Sequence, residues 1–181
     1  MTQNICAYIL YNLLGWRVDG EIPHSTKRLM LLYLPHTSNW DFVFGMLFVK
    51  AENIKATVFG KDGFYFPPFT YIYKYFKVVP IKRNQKNNFV EQAIALFDNG
   101  VPLWTGMAPE GTRSKISHLK SGYYYLAKGA QIPVVLVGLD FQKKALVILP
   151  PRPVFETVEE DQANLISFSR SLTAKRPELA I

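Results

Sequence analysis

One cysteine in 181 residues, Cys6, leaves the chain with no internal disulfide, and a domain of this length buries enough apolar surface to fold without one. No apolar run reaches the roughly 18 residues that a membrane-crossing helix needs. The amino terminus, MTQNICAYILYNLLGW, lacks the basic stretch and small-residue cleavage site of a secretory leader. Internal repeats, low-complexity segments and interdomain linkers are missing too. Together these absences leave a single domain over residues 1–181, expected in the reducing cytoplasm.

Acidic residues are also scarce. The net charge is +7 and uneven: residues 151–181 hold four basic and five acidic side chains, so the first 150 residues carry +8. Residues 61–86 alone have six basic residues against one aspartate. Such a surface attracts an anionic partner: nucleic acid, anionic lipid or a phosphorylated small molecule. The most apolar stretch, ICAYILYNLLGW over residues 5–16, is too short to span a bilayer. It suits either an interfacial helix, with Tyr8, Tyr11 and Trp16 at headgroup level, or a helix packed on the domain.

What is present alternates between extended and helical patterns. The apolar run RLMLLYLP (28–35) predicts a buried strand, and NWDFVFGMLFVKAEN (39–53) a helix that Ser38 or Asn39 can cap. Strands follow at ATVFG and KVVPI, then a helix over 87–100 closed by Gly100, then a strand at VPLW. A helix over 121–130 and strands over 132–140 and 145–150, paired across a short turn, complete the pattern. Strands alternating with crossover helices predict an α/β fold with a largely parallel central sheet flanked by helices.

Two short stretches carry chemistry. In LPHTSNWDF (34–42), His36 and Asp41 stand five residues apart. Within one continuous helix that spacing separates side chains by roughly 140°. Here, however, Pro35 ends the strand, His36 falls in the connection and Asp41 in the first helical turn, so the loop can fold the imidazole onto the carboxylate. Open α/β sheets place ligand sites at these carboxyl ends of strands. The second stretch, APEGTRS (108–114), follows the strand VPLW and gathers a carboxylate, a flexible glycine, a hydroxyl and a guanidinium.

With these residues in hand, His36-Thr-Ser-Asn-Trp-Asp41 resembles the His-x4-Asp block of the glycerolipid acyltransferase family, which includes the lysophosphatidic acid acyltransferases. Three more blocks follow in family order. GKDGFYFPPFTYIYKYFKVVPIKR is similar to the second, matched at Gly60, Lys61 and Arg83; Pro109 to Ser114 is similar to the third; and Ile132-Pro133-Val134-Val135 resembles the fourth. Ala108 and Leu136 depart from the bulky residue and the proline common at their positions.

The resemblance implies a glycerol-phosphate acyltransferase-like fold and transfer of a fatty acyl group from acyl-coenzyme A or acyl carrier protein to a hydroxyl of a lysolipid or glycerol phosphate. It implies His36 as general base paired with Asp41. It also implies a substrate-binding set of Arg83, Glu110, Gly111, Thr112 and Arg113, in which Glu110 positions the acceptor hydroxyl and the two arginines grip its phosphate. No cofactor or metal is implied, and the expected place is the inner face of the cytoplasmic membrane, against an anionic surface. Lys61 stays undecided, whereas Lys82, Lys86, Lys115 and Lys120 read as solvated or membrane-facing charges. The aromatic run over 64–76 fits an acyl tunnel, a membrane contact or ordinary core. Two other classes stay open: a basic, aromatic-rich nucleic-acid-binding domain, and a metal-dependent hydrolase with His36, Asp41, Glu110 and His118 as ligands. The former leaves the His-Asp spacing without a use, and the latter matches no compact ligand pattern.

Overall fold

The computed structural model describes residues 2–61, 78–81, 88–98 and 103–181. Arg83 and the aromatic run over 64–76 lie outside the described residues. A short helix α1 (Thr2–Ala7) runs into a π-helical turn (Tyr8–Leu13). Then come β1 (Arg17–Asp19), β2 (Arg28–Tyr33), α2 (Asn39–Ala51), β3 (Ala56–Lys61), β4 (Val78–Ile81), α3 (Asn88–Asp98) and β5 (Leu103–Met107). The chain ends with α4 (Gly122–Gly129), β6 (Val134–Asp140), β7 (Ala145–Ile148), α5 (Val158–Arg170) and a 3-10 turn (Pro177–Leu179).

Among the described residues, seven strands form one sheet in the order β1-β7-β6-β2-β5-β3-β4, parallel except for the β6–β7 pair. The expected α/β architecture is therefore present. Period-2 alternation along β2 sends Leu29, Leu31 and Tyr33 to one face and Met30 and Leu32 to the other, with Leu34 continuing the second set. On the first face lie α2, the π-helical turn and Trp16, with Leu10 and Phe48 fully inside. On the second lie α3, α4 and α5, through Phe97, Tyr123, Leu126 and Leu165. Each large apolar side chain buried in this way contributes about 1.5–3 kcal/mol.

β2 is the middle strand, and its neighbours β5 and β6 both run parallel to it. Loops leaving the carboxyl ends of β2 and β5 consequently emerge side by side. Gly138 on β6 makes room for the first of them, since a Cβ there would fall 2.1 Å from the Leu34 carbonyl oxygen.

Residues 5–16 pack on the domain along one face and expose the other. Leu10 is fully buried, Trp16 packs against Phe44, Phe48 and Phe141, and the Tyr11 hydroxyl donates to Glu52. Trp16 and Tyr11 are thus held by the domain rather than at headgroup level. Ile5, Tyr8 and Leu13 face outward, 53%, 62% and 69% exposed.

Candidate active site

Ser38 caps α2: its hydroxyl accepts from the Trp40 amide, and the Asp41 side chain reaches back to the amide of Ser38. This reciprocal cap fixes the turn between His36 and Asp41. The Asp41 Oδ2 accepts from Thr37 and Ser38 amides, each at 2.7 Å, and lies 3.4 Å from His36 Nδ1. His36 and Asp41 are therefore together, brought there by the loop between the end of β2 and the start of α2. At 3.4 Å the approach is longer than a hydrogen bond, and Nδ1 is buried without a hydrogen-bond partner among the described residues. Catalytic hydrogen bonds are commonly long in ligand-free enzymes and tighten on substrate.

Glu110 arrives from the neighbouring β5 loop. Its side chain is buried, and its two oxygens face the His36 amide at 3.1 and 3.2 Å. Burial raises the carboxyl above its usual range, the amide's hydrogen bond working against that rise. Whereas the resemblance gives Glu110 an acceptor hydroxyl to hold, the geometry ties it to the backbone of the histidine loop.

The rest of the APEGTRS loop is more open. Gly111 sits at φ +65°, a left-handed conformation that favours glycine, with its amide donating to the Ala108 carbonyl. The amide of Lys120 donates to the Pro109 carbonyl at 2.9 Å and closes the loop. Arg113 is exposed and donates to Asn39 Oδ1 at the start of α2, so the two loops are linked twice. The Thr112 hydroxyl accepts from the Ser114 amide.

The sequence reading missed two features. Lys120, read as a solvated or membrane-facing charge, is exposed, and its ammonium also lies across Gly111, where a Cβ would meet Nζ at 2.6 Å. The pattern holds no sign of this, because the loop closure that brings Lys120 back depends on Pro109, eleven residues earlier. The second feature is a cavity of about 220 Å³ lined by His36, Asp41 and Tyr33 and otherwise by apolar side chains and glycine, among them Phe42, Phe48, Trp104, Val137 and Ile148. It exceeds the roughly 150 Å³ in which benzene binds a dry protein interior.

His118 stands apart, paired with the Ser117 hydroxyl in an exposed loop. Among the described residues, no three or more His, Cys, Asp or Glu side chains are grouped to hold a metal ion. Among the described residues the exposed aromatics are Tyr8, Trp40, Phe42 and Tyr125; the first three share α1, the π-helical turn and α2 with exposed Ile5, Leu13 and Val43, and Tyr125 stands on α4. The setting of the first three is apolar, unlike the basic groove that follows a nucleic-acid backbone. No helix among the described residues is long and apolar enough to cross a membrane.

A protein-family model described as Acyltransferase matches residues 16–140, a span that holds His36, Asp41 and the whole 108–114 loop. Comparison with curated proteins gives no significant match. Among solved structures, the fold is similar to that of the 1-acyl-sn-glycerophosphate (LPA) acyltransferase PlsC from Thermotoga maritima. The TM-score is 0.64 at 18% sequence identity, with 94% of this chain and 76% of that chain covered. At this identity the likeness speaks for the fold, an α/β domain with a mostly parallel sheet between helices.

Proposed function

The chain belongs to the acyltransferase family, and within it we propose transfer of a fatty acyl group from an acyl thioester, on coenzyme A or acyl carrier protein, to a hydroxyl of a lysophospholipid or glycerol phosphate. The observation that carries this reading is the placement of the His36 imidazole, backed by the buried Asp41, on the wall of an otherwise apolar cavity. A base beside apolar space suits a substrate with a reactive carbonyl at the end of a hydrocarbon chain.

In this reading the neutral imidazole, its Nδ1 proton turned to Asp41, uses Nε2 to take the proton of the acceptor hydroxyl as that oxygen attacks the thioester carbonyl carbon. The tetrahedral intermediate collapses with cleavage of the carbon–sulfur bond, and the imidazolium, steadied by the Asp41 charge, returns the proton to the departing thiolate. The products are an ester and a free thiol, and the step uses only side chains and the two substrates. Glu110 anchors the His36 amide. Gly111 lets the acceptor approach the backbone, with Thr112 beside it. Arg113 supplies a guanidinium for the acceptor phosphate, the part also proposed for Arg83.

Both substrates carry chains that partition into lipid, so we place the enzyme peripherally on an anionic membrane, at the inner face of the cytoplasmic membrane. Support for this comes from exposed Ile5, Tyr8 and Leu13 together with Trp40 and Phe42 on α2, 55% and 48% exposed. Phe42 also lines the cavity, so in this reading the exposed apolar surface of α2 continues into its wall. The net charge of +7 favours an anionic surface.

The test is a thiol-release assay with long-chain acyl-coenzyme A and acyl carrier protein against a panel of lysolipids and glycerol phosphate, the products identified by mass spectrometry. An acylated phosphate-bearing acceptor is expected. Thioester consumption that yields only free fatty acid would replace the transferase reading with a thioesterase one.

A further inference from the structure

Buried tyrosine hydroxyls ordinarily find a hydrogen-bond partner, because an unpaired polar group away from water costs free energy. Three tyrosines here follow that rule: Tyr11 donates to Glu52, Tyr123 to Asp161 at 2.8 Å, and Tyr124 to backbone carbonyls of Phe155 and Glu156. Tyr33 does not. Its hydroxyl is buried and has no hydrogen-bond partner among the described residues, although its ring is only partly covered and lines the same cavity as His36.

The location of this unused donor is specific. Tyr33 is the last residue of β2, three positions before His36, and its ring stands edge-on to the imidazole with centroids 5.6 Å apart. The alternation of β2 turns it to the cavity face. Burial, reinforced by the Asp41 and Glu110 carboxylates, raises the phenol well above its ordinary range, so the group keeps its proton at any working pH. It is a fixed neutral donor beside the base.

Acyl transfer has one centre that the residues assigned so far leave unserved. When the acceptor oxygen attacks the thioester, electrons of the carbonyl double bond move onto the carbonyl oxygen, which becomes an oxyanion on the same carbon that receives the nucleophile. That atom lies next to the one His36 deprotonates. Resting on the acyl-transfer reading above, we propose that the Tyr33 hydroxyl donates a hydrogen bond to this oxygen and holds the negative charge until the carbon–sulfur bond breaks. The proton stays on Tyr33 throughout; His36 alone shuttles a proton. A donor that meets its acceptor only during reaction binds the transition state more strongly than the ground state, the condition for raising kcat.

Tyr33→Phe removes the hydroxyl and keeps the ring against His36. Because the hydroxyl is unpaired, the melting temperature of Tyr33→Phe should equal or exceed that of the wild type. Its kcat in thiol release, with long-chain acyl-coenzyme A and lysophosphatidic acid, should fall by about a hundredfold or more, while both KM values stay within about threefold. An active wild type with Tyr33→Phe turning over at the same rate overturns the role of Tyr33 and leaves the acyltransferase reading standing. A lower melting temperature in Tyr33→Phe also overturns it, by showing that the hydroxyl is bonded in the resting protein. A wild type that releases no thiol with any acceptor overturns both.

Discussion

Asp41 spends one carboxylate oxygen on the amides of Thr37 and Ser38 and holds the same oxygen 3.4 Å from His36 Nδ1. Substitutions can separate the two duties. Asp41→Asn keeps an oxygen for the cap but loses the charge that steadies an imidazolium; turnover should fall severely, with a stability loss under about 1 kcal/mol. Asp41→Ala, which leaves buried amides unpaired, should cost about 1–3 kcal/mol as well. Chemical denaturation measured beside turnover distinguishes them, and equal stability losses would deny Asp41 its capping role. Glu110 gives a pH signature. Its folded-state carboxyl is raised above the ordinary 4.5, so the folded protein holds this proton more tightly than the unfolded chain. The favourable contribution is present below 4.5 and is lost as pH rises through the raised value. Denaturation midpoints should therefore show the wild type losing stability relative to Glu110→Gln over that window, where parallel curves would show a carboxyl at its usual range. How much of this was legible in the sequence differs by residue. The His36–Asp41 pairing followed from a strand end, a proline and a cap within eight residues. The Glu110 contact depends on β2 and β5 being neighbours, and Lys120 on a loop closing over Gly111; pairings across strands and loops leave no local pattern.

Among the elements, α2 was readable because Ser38 and Asp41 form a cap directly ahead of an apolar body. β5 runs past VPLW through Met107, with Gly106 pairing with Leu31 and Val58 in the sheet. Neither β1 nor α5 was anticipated. β1 has three residues, too few for a period, and α5 buries chiefly Leu165 and Phe168 beneath an acidic first turn. Thr157, whose hydroxyl accepts from the Glu160 amide, is the start signal that a search for caps would have found. The amino-terminal segment was open between membrane and core because it serves core on one face and exposes the other. Its two faces should respond differently. Leu10→Ala is expected to cost about 2–5 kcal/mol in denaturation, as a large-to-small change in packed core. Tyr8→Glu with Leu13→Glu should instead leave the melting temperature nearly unchanged and release the protein from anionic vesicles in cosedimentation. A folded double variant that still binds would move the membrane contact to another face.

At the scale of the whole molecule, function follows from strand order. Placing β2 in the middle, with parallel neighbours on both sides, brings the His36 and Glu110 loops to one edge and leaves the α2 face to form the cavity beneath. The alternation of strands and helices was enough to predict a largely parallel sheet, because parallel strands need crossovers of this kind. The order of strands was not, since several right-handed windings suit the same alternation. The ordered motifs, each weak alone, run together from His36 to Val135, inside the region that the acyltransferase model matches, residues 16–140. The central claim is that His36 is the base for acyl transfer, and the rate of thiol release by His36→Ala tests it most directly. In protein shown by circular dichroism to be folded, turnover should fall by about two to four orders of magnitude, the usual scale for loss of a general base. Turnover within a few-fold of wild type would contradict the account.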